Sequence, residues 1–314
     1  MTKAEAHLEV YRRFEGSLRE YPLRFWPIWT TGLRTALKQR KALALLYAPA
    51  LIATVIFSFI VYLALMAQQA IQQQNPFGND PNADLSEVMV KQAALQMVQP
   101  GLKMLEVVRQ IVGFNQLMGL FSFLAVVWFG SGLFCDDRKA GAHQLYFARP
   151  ITRLDYFSGK FLIAAFFSLL AMLVPVLVIC IVASVTSEDW VFVKEQWDVF
   201  PRAIAFSCLW TVVIVSLVLL CSSVAPRRVF AMIGAVGFLM IGESFAAVLG
   251  QVVNPRFFAL GLMNSLHAVC LDLFNQPAEH SQAAAGDAWL AIGVFVALAL
   301  GVIALRLKRL EVVA

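Results

Sequence analysis

Six apolar runs, each of roughly 20 residues, limit the folds open to this chain more than any other feature. A helix rises about 1.5 Å per residue, so a run of this length crosses the hydrocarbon of a bilayer. Inside hydrocarbon the backbone has no water to bond, and a helix satisfies its polar groups within its own segment. We therefore predict an all-α membrane protein. The six predicted transmembrane helices cover residues 42–66, 111–134, 161–185, 203–225, 229–250 and 288–305.

The composition agrees with this prediction and excludes several classes of protein. Hydrophobic residues make up 60% of the 314 positions, charged residues 14%, and the mean hydropathy is +0.73. Soluble domains are about half apolar and about a quarter charged. A soluble enzyme and a disordered chain are therefore excluded. The five cysteines lack the spacing of a zinc site or a disulfide framework, so we expect neither.

The positions of lysine and arginine predict which ends of the spans face the cytoplasm, because basic residues are retained on that side. The segments with 19 of the 25 basic residues are 1–41, 135–160, 226–228 and 306–314. The alternate segments, 67–110, 186–202 and 251–287, hold the other six. We predict that both termini are cytoplasmic, with 306–314 as a short tail. The net charge of +5 then reflects topology, and we expect no nucleic-acid partner.

The first 41 residues predict two helices at the cytoplasmic face. In the first helix, apolar residues recur at helical spacing beside arginines, which is typical of an amphipathic helix in the membrane interface. These apolar residues are Leu8, Tyr11, Phe14 and Leu18. After Pro27 a second helix, rich in basic residues at its end, leads to the first span. It either transmits force from a cytoplasmic partner to that span or only anchors the chain.

The loop 135–160, between the second and third spans, has the clearest motif in the sequence. It reads Asp-Asp-Arg-Lys-Ala-Gly-Ala from Asp136 and ends Ala-Arg-Pro-Ile-Thr-Arg-Leu-Asp-Tyr-Phe-Ser-Gly-Lys at Lys160. Between these two stretches lies a short apolar cluster of Leu145, Tyr146 and Phe147. A short helix with exposed aromatic side chains suits a groove on another protein. The alternative is that the loop packs only on its own spans.

Two residues of this loop predict where its helices begin and end. Pro150 should end any helix that begins near Arg138, because proline cannot donate the backbone hydrogen bond. Asp155 should cap the helix that continues into the third span.

This motif resembles the first cytoplasmic loop of type 2 ABC transporter permeases, the membrane subunits of polysaccharide, drug and lipid exporters. The likeness extends in outline to the whole chain, with its basic N-terminal helix, six spans and inner termini. It implies a type 2 ABC exporter permease fold, N-in and C-in, with an N-terminal amphipathic interfacial helix. In that family the loop carries the coupling helix that docks into the ATPase subunit. The residues to which the resemblance assigns this role are Arg138, Ala140, Gly141, His143, Leu145, Tyr146, Phe147, Arg149 and Pro150.

The resemblance also implies partners. A second permease copy or a paralogue would complete a dimer, with a path lined chiefly by the first, second and fifth spans. The phosphate-binding pattern GxxxxGK[ST] does not occur, since Ser158-Gly159-Lys160 lacks the upstream glycine. We therefore expect ATP and Mg²⁺ on a separate ATPase subunit, and no catalytic residue, cofactor or metal in this chain. The bacterial inner membrane is the expected location.

Glu243 is the only acidic residue inside a predicted span. A carboxylate there costs at least about 2.5 kcal/mol unless it faces protein or water. It either lines a transport path or gate, or it bonds locally to Ser244 or to the following loop. An ion-coupled secondary transporter is the rival function, but it requires coupling carboxylates or broken helices in both halves of the chain. A membrane scaffold that acts through its outer loop without transport is a third alternative.

The outer segments differ in kind. Loop 67–110 predicts a helical hairpin that either binds an extracytoplasmic partner or is a solvated extension. Loop 251–287 is apolar but too polar in places for a seventh span, so we expect short re-entrant or interfacial helices. In the sixth span Gly293, Ala297 and Gly301 repeat every four residues, and we expect them to pack within the chain.

Overall fold

A computed structural model describes residues 25–73, 107–141, 152–187, 194, 196–277 and 281–312. In these residues the secondary structure is helical throughout. The α-helices are α1 (Trp26–Leu37), α2 (Arg40–Gln73), α3 (Val107–Gly130), α4 (Gly132–Lys139), α5 (Arg153–Thr186), α6 (Val199–Val224), α7 (Arg228–Val252), α8 (Leu262–Leu273) and α9 (Ala285–Val312). A 3₁₀ helix, Pro255–Leu260, precedes α8. The amphipathic helix predicted around residues 8–18 and the outer hairpin of 67–110, apart from its two ends, lie outside the described residues.

Among the described residues, six helical segments are long and apolar enough to cross a membrane, which confirms the prediction of an all-α protein with six spans. The segments are Arg40–Met66, Val108–Lys139, Arg153–Thr186, Val199–Val224, Arg228–Val252 and Ala285–Lys308. The second of them consists of α3 and α4, and the third continues well into the loop 135–160. Helices therefore enter the loop from both sides, α4 as far as Lys139 and α5 from Arg153 onward.

The break between α3 and α4 lies at Ser131 and has a specific cause. The Ser222 hydroxyl of α6 donates to the Ser131 carbonyl oxygen at 2.7 Å and accepts from the Phe134 N–H at 3.1 Å. A side chain that enters the backbone hydrogen-bond ladder can interrupt it at that point. The contact also ties the junction of α3 and α4 to the fourth span.

The second, third and fourth spans form the core. In the most apolar stretches of the second and fourth spans 61% of the residues are buried, and 50% in the third span. The spans also share a chain of buried hydroxyl groups, in which Ser168 lies between two partners. The Ser122 and Ser168 oxygens are 2.8 Å apart, and the Ser168 and Thr211 oxygens are 2.8 Å apart. These bonds fix the register of α3, α5 and α6.

The first, fifth and sixth spans lie at the periphery, since only 28%, 17% and 22% of their apolar stretches are buried within the chain. Our expectation for the sixth span was wrong. A Cβ added at Gly293 or Gly301 would meet no atom within 4 Å in the described part of the chain, and Ala297 is exposed. These small residues face away from the bundle, because Ile292, Ala299 and Ile303 form the buried face of α9 instead.

At the opposite end from α1, the segment after α7 folds back onto the bundle. The Phe258 ring lies directly against Gly250, where an added Cβ would be 2.6 Å from the ring. The apolar helix α8 then packs on α9 and α7. Two short helices thus occupy the place of a seventh span, and whether they enter the bilayer stays a prediction.

Candidate functional site

The candidate site is the loop 135–160 together with the helix ends that hold it. The structure describes three of the nine residues that the resemblance assigns to ATPase coupling, namely Arg138, Ala140 and Gly141. The other six fall in the stretch 142–151, outside the described residues; they are His143, Leu145, Tyr146, Phe147, Arg149 and Pro150.

The helix α4 ends before the stretch in which its predicted stop, Pro150, lies. Ala140 is its C-terminal cap, and Gly141 follows with φ of +66°. This left-handed conformation commonly ends helices and favours glycine, which has no Cβ to clash. An added Cβ at Gly141 would meet no atom, so the backbone angle rather than crowding requires glycine here.

The Arg138 side chain joins α4 to the end of α6. Its guanidinium donates to the Ser223 carbonyl oxygen at 2.8 Å and to the Ala225 carbonyl oxygen. These are terminal carbonyls of α6, where a positive charge is favourable because the helix dipole is negative there. The Cys135 thiol donates to the Ser222 carbonyl oxygen at 3.0 Å. Arg138 therefore holds the base of the loop against the fourth span.

A largely buried ion pair joins α4 to α5. The Lys160 ammonium lies 2.6 Å from Asp137, and the Tyr156 hydroxyl donates to the same carboxylate oxygen at 2.8 Å. The ring of Tyr156 is buried against Phe134. This contact was not predicted, although the opposite charges at the two ends of the loop are a signal for it.

The helix α5 begins with a reciprocal cap, and our assignment of that cap needs correction. The residue at the cap position is Thr152, whose hydroxyl accepts from the Asp155 N–H at 3.2 Å. Asp155, three residues later, returns the bond by accepting from the Thr152 N–H at 3.1 Å. Asp155 is thus the second half of a capping box, and the helix begins earlier than Asp155 alone predicted.

The connecting helix α1 docks directly on the same end of α5. Ile28 lies so close to Gly159 that an added Cβ there would be 2.9 Å from two of its atoms. One turn further along each helix, Gly32 faces Ile163 in a similarly close contact. Small residues allow such an approach between helix backbones. Movement of α1 therefore acts on the third span through direct contact.

Glu243 lies near the other end of the fifth span, far along α7 from the loop. Its carboxylate accepts from the Met263 N–H at the start of α8, and it lies against Gly261. Ser244 instead donates to Met240 within its own helix, at 2.8 Å. Of the alternatives for Glu243, the local bond to the following segment is the one that the contacts support. The carboxylate caps α8 and holds it on α7.

These features converge at one end of the bundle. There the N-terminal helix α1 contacts the start of the third span, and the described ends of the loop 135–160 contact the third and fourth spans. A cavity of about 370 Å³ lies between them, lined by Asp136, Asp137, Lys160 and Arg228 among others. A protein bound to the loop would therefore act on at least two spans at once.

Comparison with known proteins agrees with the resemblance seen in the motif. A family model described as ABC-2 family transporter protein matches residues 33–309, which include all six spans. No curated protein matches the chain. Members of this family are multi-pass permeases that associate with an ATPase subunit. The chain belongs to the ABC-2 family of transporter proteins, as a membrane subunit of an ABC transporter.

Proposed function

We propose that this chain is the permease of an ATP-driven exporter and that its separate ATPase subunit docks on the loop 135–160. The observation that carries the proposal is the construction of the base of the loop. Its two ends are joined by the ion pair between Asp137 and Lys160, and Arg138 fixes it to the fourth span. A loop held in this way moves together with the third and fourth spans when a bound protein pushes on it.

The third span is suited to pass the movement of the loop across the membrane. It is one continuous helix, Arg153–Thr186, and its 34 residues extend about 50 Å. Its first turns lie in the loop and contact α1, and its remaining turns pack between the second and fourth spans. When ATP draws the ATPase subunits together, the loop moves with them and tilts these spans as a unit, which opens the path outward.

A second permease copy or a paralogue completes the transporter in this proposal. The first and fifth spans present apolar side chains away from the chain's own core, such as Val55, Ile233 and Ile241, which are 70%, 62% and 72% exposed. A single bundle leaves these faces to lipid or to a partner. We assign them to the dimer, with the translocation path between the two copies. The loop 67–110 remains available for an extracytoplasmic partner.

The location follows from the distribution of basic residues. Both termini and the loop 135–160 face the cytoplasm, where ATP and Mg²⁺ are bound by the ATPase subunit and not by this chain. The permease then belongs in the bacterial inner membrane.

The test is a pull-down of the tagged chain from its native host in mild detergent, with mass spectrometry and an ATPase assay on the eluate. The expected result is a stoichiometric partner with a phosphate-binding loop and vanadate-sensitive hydrolysis. The double variant Leu145→Asp with Phe147→Asp should reach the membrane but lose the ATPase. The matched control is Trp197→Asp, a 66% exposed apolar residue near the other ends of the spans, which should retain it.

Retention of the ATPase by the double variant would remove the loop from the docking role. A chain purified with no ATPase at all would overturn the proposal and favour ion-coupled transport. Flux of substrate into the cytoplasm, measured in inverted vesicles against right-side-out vesicles, would overturn the exporter direction alone.

A further inference from the structure

A second cavity, of about 620 Å³, lies at the junction between α1 and the first span. Three basic residues that follow one another closely in the sequence line it, namely Lys38, Arg40 and Lys41. The remaining wall includes the indole of Trp128 and the side chain of Leu45. The cavity is distinct from the one between α1 and the loop 135–160, where the acidic residues lie.

The wall formed by Trp128 is held from two sides. Its indole N–H donates to the Gln39 side-chain oxygen at 3.4 Å, so the ring is attached to the link between α1 and α2. On the other side, the Arg228 guanidinium lies 5.2 Å from the ring centroid and donates to the Trp128 carbonyl oxygen. A cation over the face of an indole ring is a stabilising contact. The cavity is therefore bounded by an indole ring with contacts on both sides.

The three cations have no acidic partner within the part of the chain that the structure describes. All three side chains are exposed, and no ion pair of the described residues includes them. Three like charges within four positions repel one another, and the attraction of each cation to a bound anion offsets that repulsion. The chemistry of the site is that of an anion receptor.

The first span places this receptor at the level of the lipid headgroups. The segment Arg40–Met66 has 27 residues and extends about 40 Å, whereas the hydrocarbon is about 30 Å thick. Its charged end therefore lies outside the hydrocarbon. Leu45, one turn further along α2, is 75% exposed and so is open to an acyl chain. Tryptophan also favours this interface, because its ring is apolar and its N–H is polar.

We propose that this cavity binds the headgroup of an anionic phospholipid. The phosphate lies against Lys38, Arg40 and Lys41, the glycerol region contacts Trp128, and an acyl chain runs along Leu45. Basic pockets at the ends of spans are suited to acidic headgroups. The proposal requires only that the chain spans a membrane and does not depend on the ATPase partner.

The experiment uses the full chain, purified in mild detergent with whatever subunits accompany it. Native mass spectrometry measures how much phosphatidylglycerol is retained, with phosphatidylcholine as the uncharged comparison. The triple variant Lys38→Gln with Arg40→Gln and Lys41→Gln should weaken phosphatidylglycerol binding about 100-fold, since each basic residue near the surface contributes about five-fold. Binding of phosphatidylcholine should be weak and the same in both proteins.

The matched control removes the same charge from the same end of the bundle but outside the cavity. The triple variant Arg34→Gln with Lys139→Gln and Arg227→Gln changes three exposed basic residues. It should retain phosphatidylglycerol as the unaltered chain does. An equal loss of phosphatidylglycerol in both triple variants would show that general surface charge binds the lipid, and would overturn the proposed site.

Two further outcomes would also overturn the proposal. If millimolar glycerol phosphate displaced bound phosphatidylglycerol as strongly as the free lipid does, the cavity would be a site for a free phosphate. Equal retention of phosphatidylcholine and phosphatidylglycerol by the unaltered chain would leave no role for the three cations.

Discussion

The Lys160 ammonium and the Asp137 carboxylate lie 2.6 Å apart and join the two ends of the loop 135–160. The two side chains are only 9% and 18% exposed, so the pair is shielded from solvent. The Tyr156 hydroxyl bonds to the same carboxylate oxygen and further restricts it. Because the pair spans the base of the loop, the loop and the third span move together.

Lys160→Met is expected to destabilise the protein by at most about 3–5 kcal/mol, because it leaves the largely buried Asp137 carboxylate without its charged partner. Thermal unfolding of the purified protein measures the change. The double variant Asp137→Asn with Lys160→Met should recover part of the loss, since no buried charge then remains. The exposed pair of Arg256 and Asp287, 4.0 Å apart, supplies the control. Arg256→Met should cost at most about 1 kcal/mol, and an equal loss there would contradict the role given to burial.

Gly159→Ala should separate α1 from the third span, because the new methyl group meets the branched side chain of Ile28. Proteolysis or hydrogen exchange of α1 should accelerate, while the spans remain protected. The added variant Ile28→Ala should reverse only part of this effect, because it removes the contact with Cγ2 but leaves the contact with Cβ. The control is Gly113→Ala, where an added Cβ meets no atom within 4 Å in the described residues. If Gly159→Ala left the hydrogen exchange of α1 unchanged, the contact between Ile28 and Gly159 would not be what holds α1 on the third span.

Glu243→Leu should destabilise α8 by about 1–2 kcal/mol, since the backbone N–H groups at the start of that helix lose their acceptor. Faster hydrogen exchange over Leu262–Leu273 is the measurement. Glu243→Gln keeps an acceptor oxygen and should have a smaller effect. Ser244→Ala, which removes only a bond within α7, should have none. Loss of transport with unchanged exchange in α8 would instead indicate a direct role for Glu243 in the path.

Gly141→Val should cost about 1–2 kcal/mol at the end of α4, because a branched residue disfavours the left-handed backbone that Gly141 adopts. The measurement is the affinity of the permease for its ATPase, which should fall as the loop is misdirected. Gly141→Asn should be nearly neutral, since asparagine tolerates this conformation. An equal loss of affinity for both variants would indicate that the ATPase contacts Gly141 directly and has no room for a side chain there.

The length of the apolar runs was sufficient to predict an all-α protein with six spans, because a run of about 20 such residues has few alternatives to a membrane-spanning helix. The contacts at the base of the loop could not be predicted in the same way. Lys160 and Asp137 are 23 positions apart, and only the packing of α4 on α5 brings them together. Arg138 was expected to contact a partner, but its side chain bonds to α6.

The error in the sixth span has a similar origin. Small residues at a spacing of four mark a helix face that can be approached closely, but they do not say by what. For Gly293 and Gly301 that face points away from the bundle. For Gly159, which has no such repeat, the close neighbour is Ile28 of the connecting helix. The spacing of small residues marks a face open to close approach, and the neighbour of that face is set by the packing of the other helices.

The buried hydroxyl groups bear on the order in which the spans enter the membrane and then assemble. Ser184 and Ser207 donate to carbonyl oxygens of their own helices, at 2.7 and 2.8 Å, so each is satisfied as soon as its helix exists. The chain from Ser122 through Ser168 to Thr211 forms only when three helices have met. The hydroxyl groups of Ser184 and Ser207 therefore add little polar cost when their own helices insert. The hydroxyl chain then stabilises one alignment of the inserted helices relative to alignments displaced by a turn.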